Sequence, residues 1–144
     1  MSDATISEMG MEDRPQPQLD AVSRVYWEAT KRGELLFQEC PACSNRQFYP
    51  RSVCTQCGAT PEWRTSTGKG RIHTFSVIRQ NGIEPFKQWL PYVVAVVQLD
   101  EGPRMITNID DAPDGKGLRI GQQLTLAIHR EDDLAIARFR QRKP

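Results

Sequence analysis

The four cysteines of the chain fall into two pairs, Cys40-Pro-Ala-Cys43 and Cys54-Thr-Gln-Cys57, separated by the ten residues 44–53. A Cys-x-x-Cys turn aims two thiolates at one point, and two such turns facing one another complete a tetrahedron. The spacing predicts a structural Zn2+ held by Cys40, Cys43, Cys54 and Cys57. Gly58 follows the second pair, where a residue free to take positive φ lets backbone N–H groups turn toward sulfur. Ser44 holds the corresponding place after the first pair, with Asn45 next. Iron bound as in rubredoxin fits four thiolates too, so the spacing leaves the metal open between the two. A redox dithiol needs only one pair and a βαβ setting. Four cysteines leave no open position for water or substrate, so the expected metal folds the ribbon and does no chemistry.

Little else in the chain suggests a reaction. There are two histidines, His73 inside a strand-like run and His129 near the end of another. Both are expected to be barrel-wall or edge residues, since neither belongs to a partnered motif. No G-x-S-x-G, P-loop or dinucleotide fingerprint occurs, and Gly68-Lys69-Gly70-Arg71 is too short for a phosphate cradle. The sequence contains no self-sufficient active site.

The elements that must position the cysteines follow from periodicity. Residues 1–18 carry no apolar period and are expected to be a flexible arm. Leu19, Val22, Tyr26 and Ala29 recur at the spacing of one helix face, with Gly33 as a stop, giving an N-terminal helical segment over 19–36. The helix either packs on its own domain or docks on a partner; the adjacent Tyr26 and Trp27 must point different ways, and packing on its own domain is favoured. ELLFQE reads as a strand running into Cys40, and RQFYPR as a short returning strand. These delimit the zinc ribbon to 37–62.

From there the chain is rich in β-branched residues. RIHTFSVIRQ, YVVAVVQLD, RMITNI, QLTLAIH and LAIARFR are separated by turn chemistries at Glu101–Pro103, Asp110–Gly117 and Glu131–Asp133. YVVAVVQLD is expected to be a strand buried on both faces. Five short strands over 63–144 predict a small OB-like barrel ending in a basic tail; an SH3-like barrel fits the same periodicity. The class is mainly β with one helix. The connection 80–91, QNGIEPFKQWLP, is long and apolar for a loop. It is either a lid on the barrel or part of a partner surface.

Composition sets limits on partners. The chain has 144 residues, 38% hydrophobic and 26% charged, with a formal net charge of +1. No run approaches a membrane span, and the start lacks a basic region followed by an apolar one. With no export signal, reduced metal-binding thiols and a cytoplasmic location are expected.

The order YWEATKRGEL, CPACSNRQFYPRSVCTQCGA, EW, GKGRIHTFSVI, PYVVAVVQLDEGPRMITNI and RIGQQLTLAI resembles the DUF35 family over about Leu19–Phe139. Its members join a rubredoxin-like zinc ribbon to an OB-fold and are called acyl-CoA-associated OB-fold proteins. The resemblance places the family's ligands on the same four cysteines. It implies a non-catalytic accessory subunit of a thiolase-superfamily enzyme acting on acyl-CoA (a thiolase, acyltransferase or retro-aldolase), stabilising the catalytic chain and helping to shape its acyl-CoA site, commonly in a heterotetramer with the thiolase-like chain. The interface residues expected on that reading are Tyr26, Trp27, Phe86, Trp89 and Tyr92. Coenzyme A phosphates would want cations, for which Lys69, Arg71 and Lys87 are candidates against the plainer alternative of solvated charges. A competing class is a nucleic-acid-binding zinc-ribbon and OB module using Arg46, Arg51, Arg64, Lys69, Arg71 and Arg79. The near-neutral charge and the lack of interleaved aromatic and basic residues along a sheet face speak against it.

Overall fold

A computed structural model describes residues 14–142. Among these residues one α-helix, α1 (Ala21–Lys31), precedes eight strands: β1 (Leu36–Glu39), β2 (Arg46–Gln47), β3 (Glu62–Thr65), β4 (Lys69–Ile78), β5 (Tyr92–Leu99), β6 (Arg104–Ile109), β7 (Gln123–Glu131) and β8 (Leu134–Gln141). They form a three-stranded sheet in the order β2-β1-β3 and a closed barrel in the order β4-β5-β6-β8-β7. Counted within the barrel this is 1-2-3-5-4, the strand order of an OB-fold, which decides between the two barrels that periodicity left open.

Helix α1 begins later than its apolar period. Asp20 caps it, accepting from Val22 N (3.0 Å) and Ser23 N (2.7 Å), while the Ser23 hydroxyl accepts from Asp20 N (3.0 Å). This reciprocal cap satisfies donors the first turn would otherwise leave open. Leu19 therefore lies outside the helix and is exposed. At the other end Gly33, with φ 87°, donates its N–H to Thr30 O (2.9 Å) and turns the chain into β1. Tyr26, Ala29 and Thr30 form the buried face.

The ribbon sheet is larger than the sequence suggests. β3 pairs with β1 along its whole length, Leu36 opposite Thr65 to Glu39 opposite Glu62, so the ribbon's pairing runs through Thr65. The expected strand over RQFYPR is only Arg46–Gln47, because Phe48 turns into the core and stacks edge-on against Tyr26 at 5.5 Å.

In the barrel, β4 crosses from β7 to β5 with a bulge between Ile72 and Thr74 that leaves His73 exposed. β4–β5 and β7–β8 form the two longest ladders, whereas β6 and β8 share a single parallel ladder pair, Ile109–Phe139. The core is built from Ile72, Val93, Ala95, Val97, Leu99, Met105, Leu124 and Phe139. β5 is not buried on both faces as its composition predicts. Its odd positions from Val93 to Leu99 point inward and are buried, while Val94 and Val96 on the outer wall are half-exposed. A small barrel has one core, and an outer face is dry only where something covers it. The basic tail continues the fold: β8 runs to Gln141, Arg138 pairs with Asp110 at 3.3 Å, and Arg142 donates to Leu124 O at 3.1 Å. Of the expected arm, residues 1–13 lie outside the described residues; residues 14–18 form no helix or strand.

Gly70 sits where β4 passes close to β5. A Cβ there would lie 2.7 Å from Gln98 O and 2.8 Å from Val97 Cγ1, whereas Gly82 has open space around it. Gly70→Ala is expected to lower the unfolding free energy by about 1–3 kcal/mol, with Gly82→Ala within about 0.5 kcal/mol of wild type. Urea denaturation of the two variants measures the difference.

Candidate functional site

The four cysteine sulfurs converge. All lie within 4.8 Å of one another, with Cys40 and Cys57 at 3.5 Å and Cys43 and Cys54 at 3.6 Å. These separations are far beyond a disulfide bond and close to the roughly 3.8 Å edge of a tetrahedron with metal–sulfur bonds of about 2.3 Å.

Two matching backbone turns aim the thiols. Ser44 N donates to Cys40 O (2.8 Å) and Cys40 N to Asn45 O (2.8 Å); Gly58 N donates to Cys54 O (2.9 Å) and Cys54 N to Ala59 O (2.7 Å). The chain reverses at Ser44 (φ 65°) and Gly58 (φ 81°), the two positions singled out from sequence. Gln56 N and the Asn45 amide point at Cys54 Sγ, at 3.4 and 3.6 Å. The N–H groups of Cys57 and Gln56 pull the Cys54 thiol down to about 6. Cys43 moves the other way, to about 12: its hydrogen bond with Asn45 favours the thiolate, but local desolvation and its contacts with the three crowding thiols outweigh it. The crowded cluster thus favours the thiolate at Cys54 and opposes it at Cys43 as long as no cation is present. That is the behaviour of a metal-binding cluster. Cys40 and Cys54 are buried, Cys43 and Cys57 exposed.

Two glutamines that sequence reading passed over hold the second turn in place. Buried Gln38 on β1 donates to Arg51 O (2.9 Å) and accepts from Arg51 N (3.0 Å). Gln47 on β2 donates to Gln38 Oε1 (2.8 Å) and accepts from Thr55 N (3.0 Å). Their amides replace the backbone ladder that the short β2 cannot supply. Glutamines next to apolar residues carry no sequence signal for this role.

Ribbon and barrel are joined at Glu101. Its carboxylate accepts from Ser66 Oγ and Thr67 N, both at 2.8 Å, and its carbonyl from Arg46 Nη1 at 2.8 Å. Burial pushes this carboxyl up, but the Thr67 and Ser66 hydrogen bonds outweigh it and hold it below the usual range. Tyr49 adds a second clasp, its hydroxyl accepting from Ile106 N at 3.1 Å on β6.

Beside the outer barrel wall lies a groove of about 920 Å³. Phe86, Trp89, Tyr92, Val94 and Ile106 give it apolar surface, and Arg14, His129, Glu131 and Arg138 give it polar surface. The 80–91 connection contains a short 3-10 helix (Phe86–Trp89), whose two aromatic rings meet edge-to-face at 5.6 Å. Three of the five expected interface residues, Phe86, Trp89 and Tyr92, thus gather at one groove. Tyr26 does not present a surface: it is buried in the core, where desolvation raises its hydroxyl pKa. Trp27 is half-buried and packs on the same core, edge-on to Tyr26 at 5.2 Å. The helix therefore packs on its own domain.

The candidate phosphate contacts do not share a cradle. Lys69 and Arg71 stand at the start of β4, whereas Lys87 lies beyond Ile78–Tyr92 at the far end of the same hairpin. At about 3.3 Å per strand residue the two ends are on the order of 20 Å apart. Of the cations that a nucleic-acid groove would need, Arg46 and Arg64 are both paired with Glu39, at 2.8 and 3.2 Å. Among the described residues, His129 is bonded to Glu131 at 2.9 Å. No helix among them is long and apolar enough to cross a membrane.

A four-cysteine ribbon of rubredoxin-like form, clasped to an OB-fold barrel, is the class of protein that these features define. Residues 27–63 match the family described as ChsH2, rubredoxin-like zinc ribbon domain, and residues 63–129 match ChsH2, C-terminal OB-fold domain. The chain belongs to the DUF35 family. It is 36% identical over 110 residues to a DUF35 domain-containing scaffold protein of Methanothermobacter thermautotrophicus, covering 74% of this chain and 80% of the relative. It is 32% identical over 135 residues to a probable enoyl-CoA hydratase alpha subunit of Thermomonospora curvata, covering 91% of this chain. The chain spans only 41% of that relative's length. Among solved structures, it is similar to a chain of the Ltp2-ChsH2(DUF35) aldolase (TM-score 0.76, 29% identity), covering 88% of this chain and 98% of that one. A DUF35 protein of unknown function from Sulfolobus solfataricus shares the fold (TM-score 0.62, 11% identity, 96% of each chain).

The Glu101 clasp has a defined pH dependence. A carboxyl held low in the folded state contributes stability that is present above its ordinary value and is lost as pH falls through the folded-state value. Glu101→Gln should therefore be less stable than wild type at about pH 7, with the gap closing as pH drops below the ordinary carboxylate value of 4.5. Thermal unfolding of both proteins across that range checks the sign.

Proposed function

We propose that this chain is a non-catalytic accessory subunit of an acyl-CoA enzyme whose catalytic chain is thiolase-like, and that it holds a structural zinc ion through Cys40, Cys43, Cys54 and Cys57. The observation that carries the subunit reading is the similarity, over 98% of its length, to the DUF35 chain of a solved aldolase complex. The relatives that are called scaffold proteins support it. An assembly of two chains of each kind is the form the family resemblance implies. The acyl group is bound and transformed on the other chain, and this chain stabilises it. Phe86, Trp89 and Tyr92 are the aromatic surface offered for contact; Trp27, half-buried against the core beside Tyr26, does not line that groove, and Tyr26 acts only through the core.

Zinc suits the donor set. Four thiolates at tetrahedral spacing, oriented by paired N–H groups, leave no open coordination position. The ion would cross-link β1 and the two turns in a segment with little core of its own. Cys54→Ser, at a buried position whose thiol is held well below its ordinary value, is expected to reduce zinc content from about one equivalent to near zero, read by elemental analysis.

Co-expression with a thiolase-like chain tests the subunit reading. Native mass spectrometry should show a complex of both chains with zinc on every copy of this one. A lone zinc-bound chain that ignores the thiolase-like protein would overturn the proposal, and salt-dependent retention on single-stranded DNA would then favour nucleic-acid binding.

A further inference from the structure

The groove contains one contact that neither the metal centre nor the barrel requires. Arg14 lies in the irregular segment before α1, yet its side chain is only 16% exposed. Its guanidinium makes a two-pronged contact with Glu131, Nε to Oε1 at 3.0 Å and Nη2 to Oε2 at 2.9 Å. It also lies 4.8 Å from the centre of the Trp89 ring and 6.0 Å from that of Phe86. Residues 14–20 join no helix or strand, so the guanidinium and not a backbone ladder seats this segment.

The receiving side is built independently of Arg14. Glu131 ends β7, where its second oxygen accepts from His129 Nε2 at 2.9 Å. Phe86 and Trp89 are fixed against one another edge-to-face. A planar cation between a carboxylate and an indole face gains both a charge-assisted fork and a cation–π contact. An ammonium cannot make the fork, and a neutral group of the same shape cannot make the charge.

We propose that Glu131, Trp89 and Phe86 form an arginine-recognition box, which Arg14 fills in cis and which an arginine of another polypeptide fills when Arg14 is out. Arg14 is then an internal competitor, and its removal exposes a site whose ligand is a guanidinium group on a peptide. Arg130 and Arg138 also border the groove, and Asp110 and Asp132 with them. Arg138 is engaged by Asp110 and Arg130 by the Lys31 carbonyl at 2.9 Å, and Glu131 is the carboxylate that the Arg14 guanidinium meets.

The test uses the full chain labelled with nitrogen-15 and the probe N-acetyl-arginine amide. The indole N–H signal of Trp89, assigned by Trp89→Phe, reports occupancy. In Arg14→Ala the probe should shift that signal saturably, and about tenfold more tightly than in wild type. N-acetyl-lysine amide and N-acetyl-citrulline amide should bind at least about five-fold more weakly. Adding Glu131→Gln to Arg14→Ala should abolish the shift. Arg14→Gln keeps the stem and removes the charge, and it stands in should Arg14→Ala not fold. No saturable shift in a folded Arg14 variant would overturn the proposal. Equal shifts from all three amides, or binding unchanged by Glu131→Gln, would overturn it as well.

Discussion

Four sulfur atoms within 4.8 Å of one another cannot all carry charge in the absence of a cation. The chain nevertheless invests two matched turns, two positive-φ residues and two buried amides in bringing them together. Without the cross-link, the ribbon would rest on a sheet whose middle strand has four residues and whose one edge has two. Such a sheet buries too little apolar surface to be stable alone. Its attachments therefore depend on the thiol cluster. Phe48 reaches Tyr26 of the helix, Tyr49 reaches β6, and Arg46 reaches the Glu101 carbonyl, and all three leave the short stretch directly after the first turn.

The second constraint is the seam of the barrel. β6 and β8 share one parallel pair, so most of the β6 edge has no strand beside it. Open edges either recruit other chains or are filled by side chains. Here they are filled: Tyr49 takes the Ile106 N–H, and the Thr107 hydroxyl donates to Ala137 O at 2.8 Å across the gap. Asn108 donates back to Val93 O at 2.8 Å on β5. The ribbon is thus one of the elements that close the barrel, and its position is fixed relative to the groove that begins on the other side of β6.

How much of this the sequence discloses depends on whether the signal is local. Thiol spacing is local, so the cysteine cluster and even the special conformation at Ser44 are legible. The five barrel strands are also legible, because β-branched runs between turn residues are local. The strand EWRT is not: its residues are mostly exposed, and what makes it a strand is the neighbour β1, which lies far away in sequence. Tyr26 and Trp27 show the limit from the other side. A helical period says that they diverge, but only the position of Phe48 decides which one is buried. The same holds for Glu101, which reads as a turn residue, and for Arg14, whose partner lies 117 residues away.

The location of the groove follows from the same economy of cover. β5 has an apolar composition on both faces, and a five-stranded barrel can bury only one of them. The other face is covered in part, by a connection that carries Phe86 and Trp89 down beside Val94 and by an arginine from the start of the described chain. Complete cover would make the outer wall a second core and leave no surface for recognition. Complete exposure would leave Val94, Ile106 and the aromatic rings as an adhesive patch. The half-cover resolves this through a polar contact, Arg14 on Glu131, which another guanidinium of the same shape can replace at little net cost in hydrogen bonds. An apolar lid would have to be pulled off against its full burial energy, whereas a charge-assisted fork can be replaced by an equivalent fork from another guanidinium. Arginine, at the boundary between an irregular segment and an aromatic loop, is the residue type that makes the cover both specific and exchangeable.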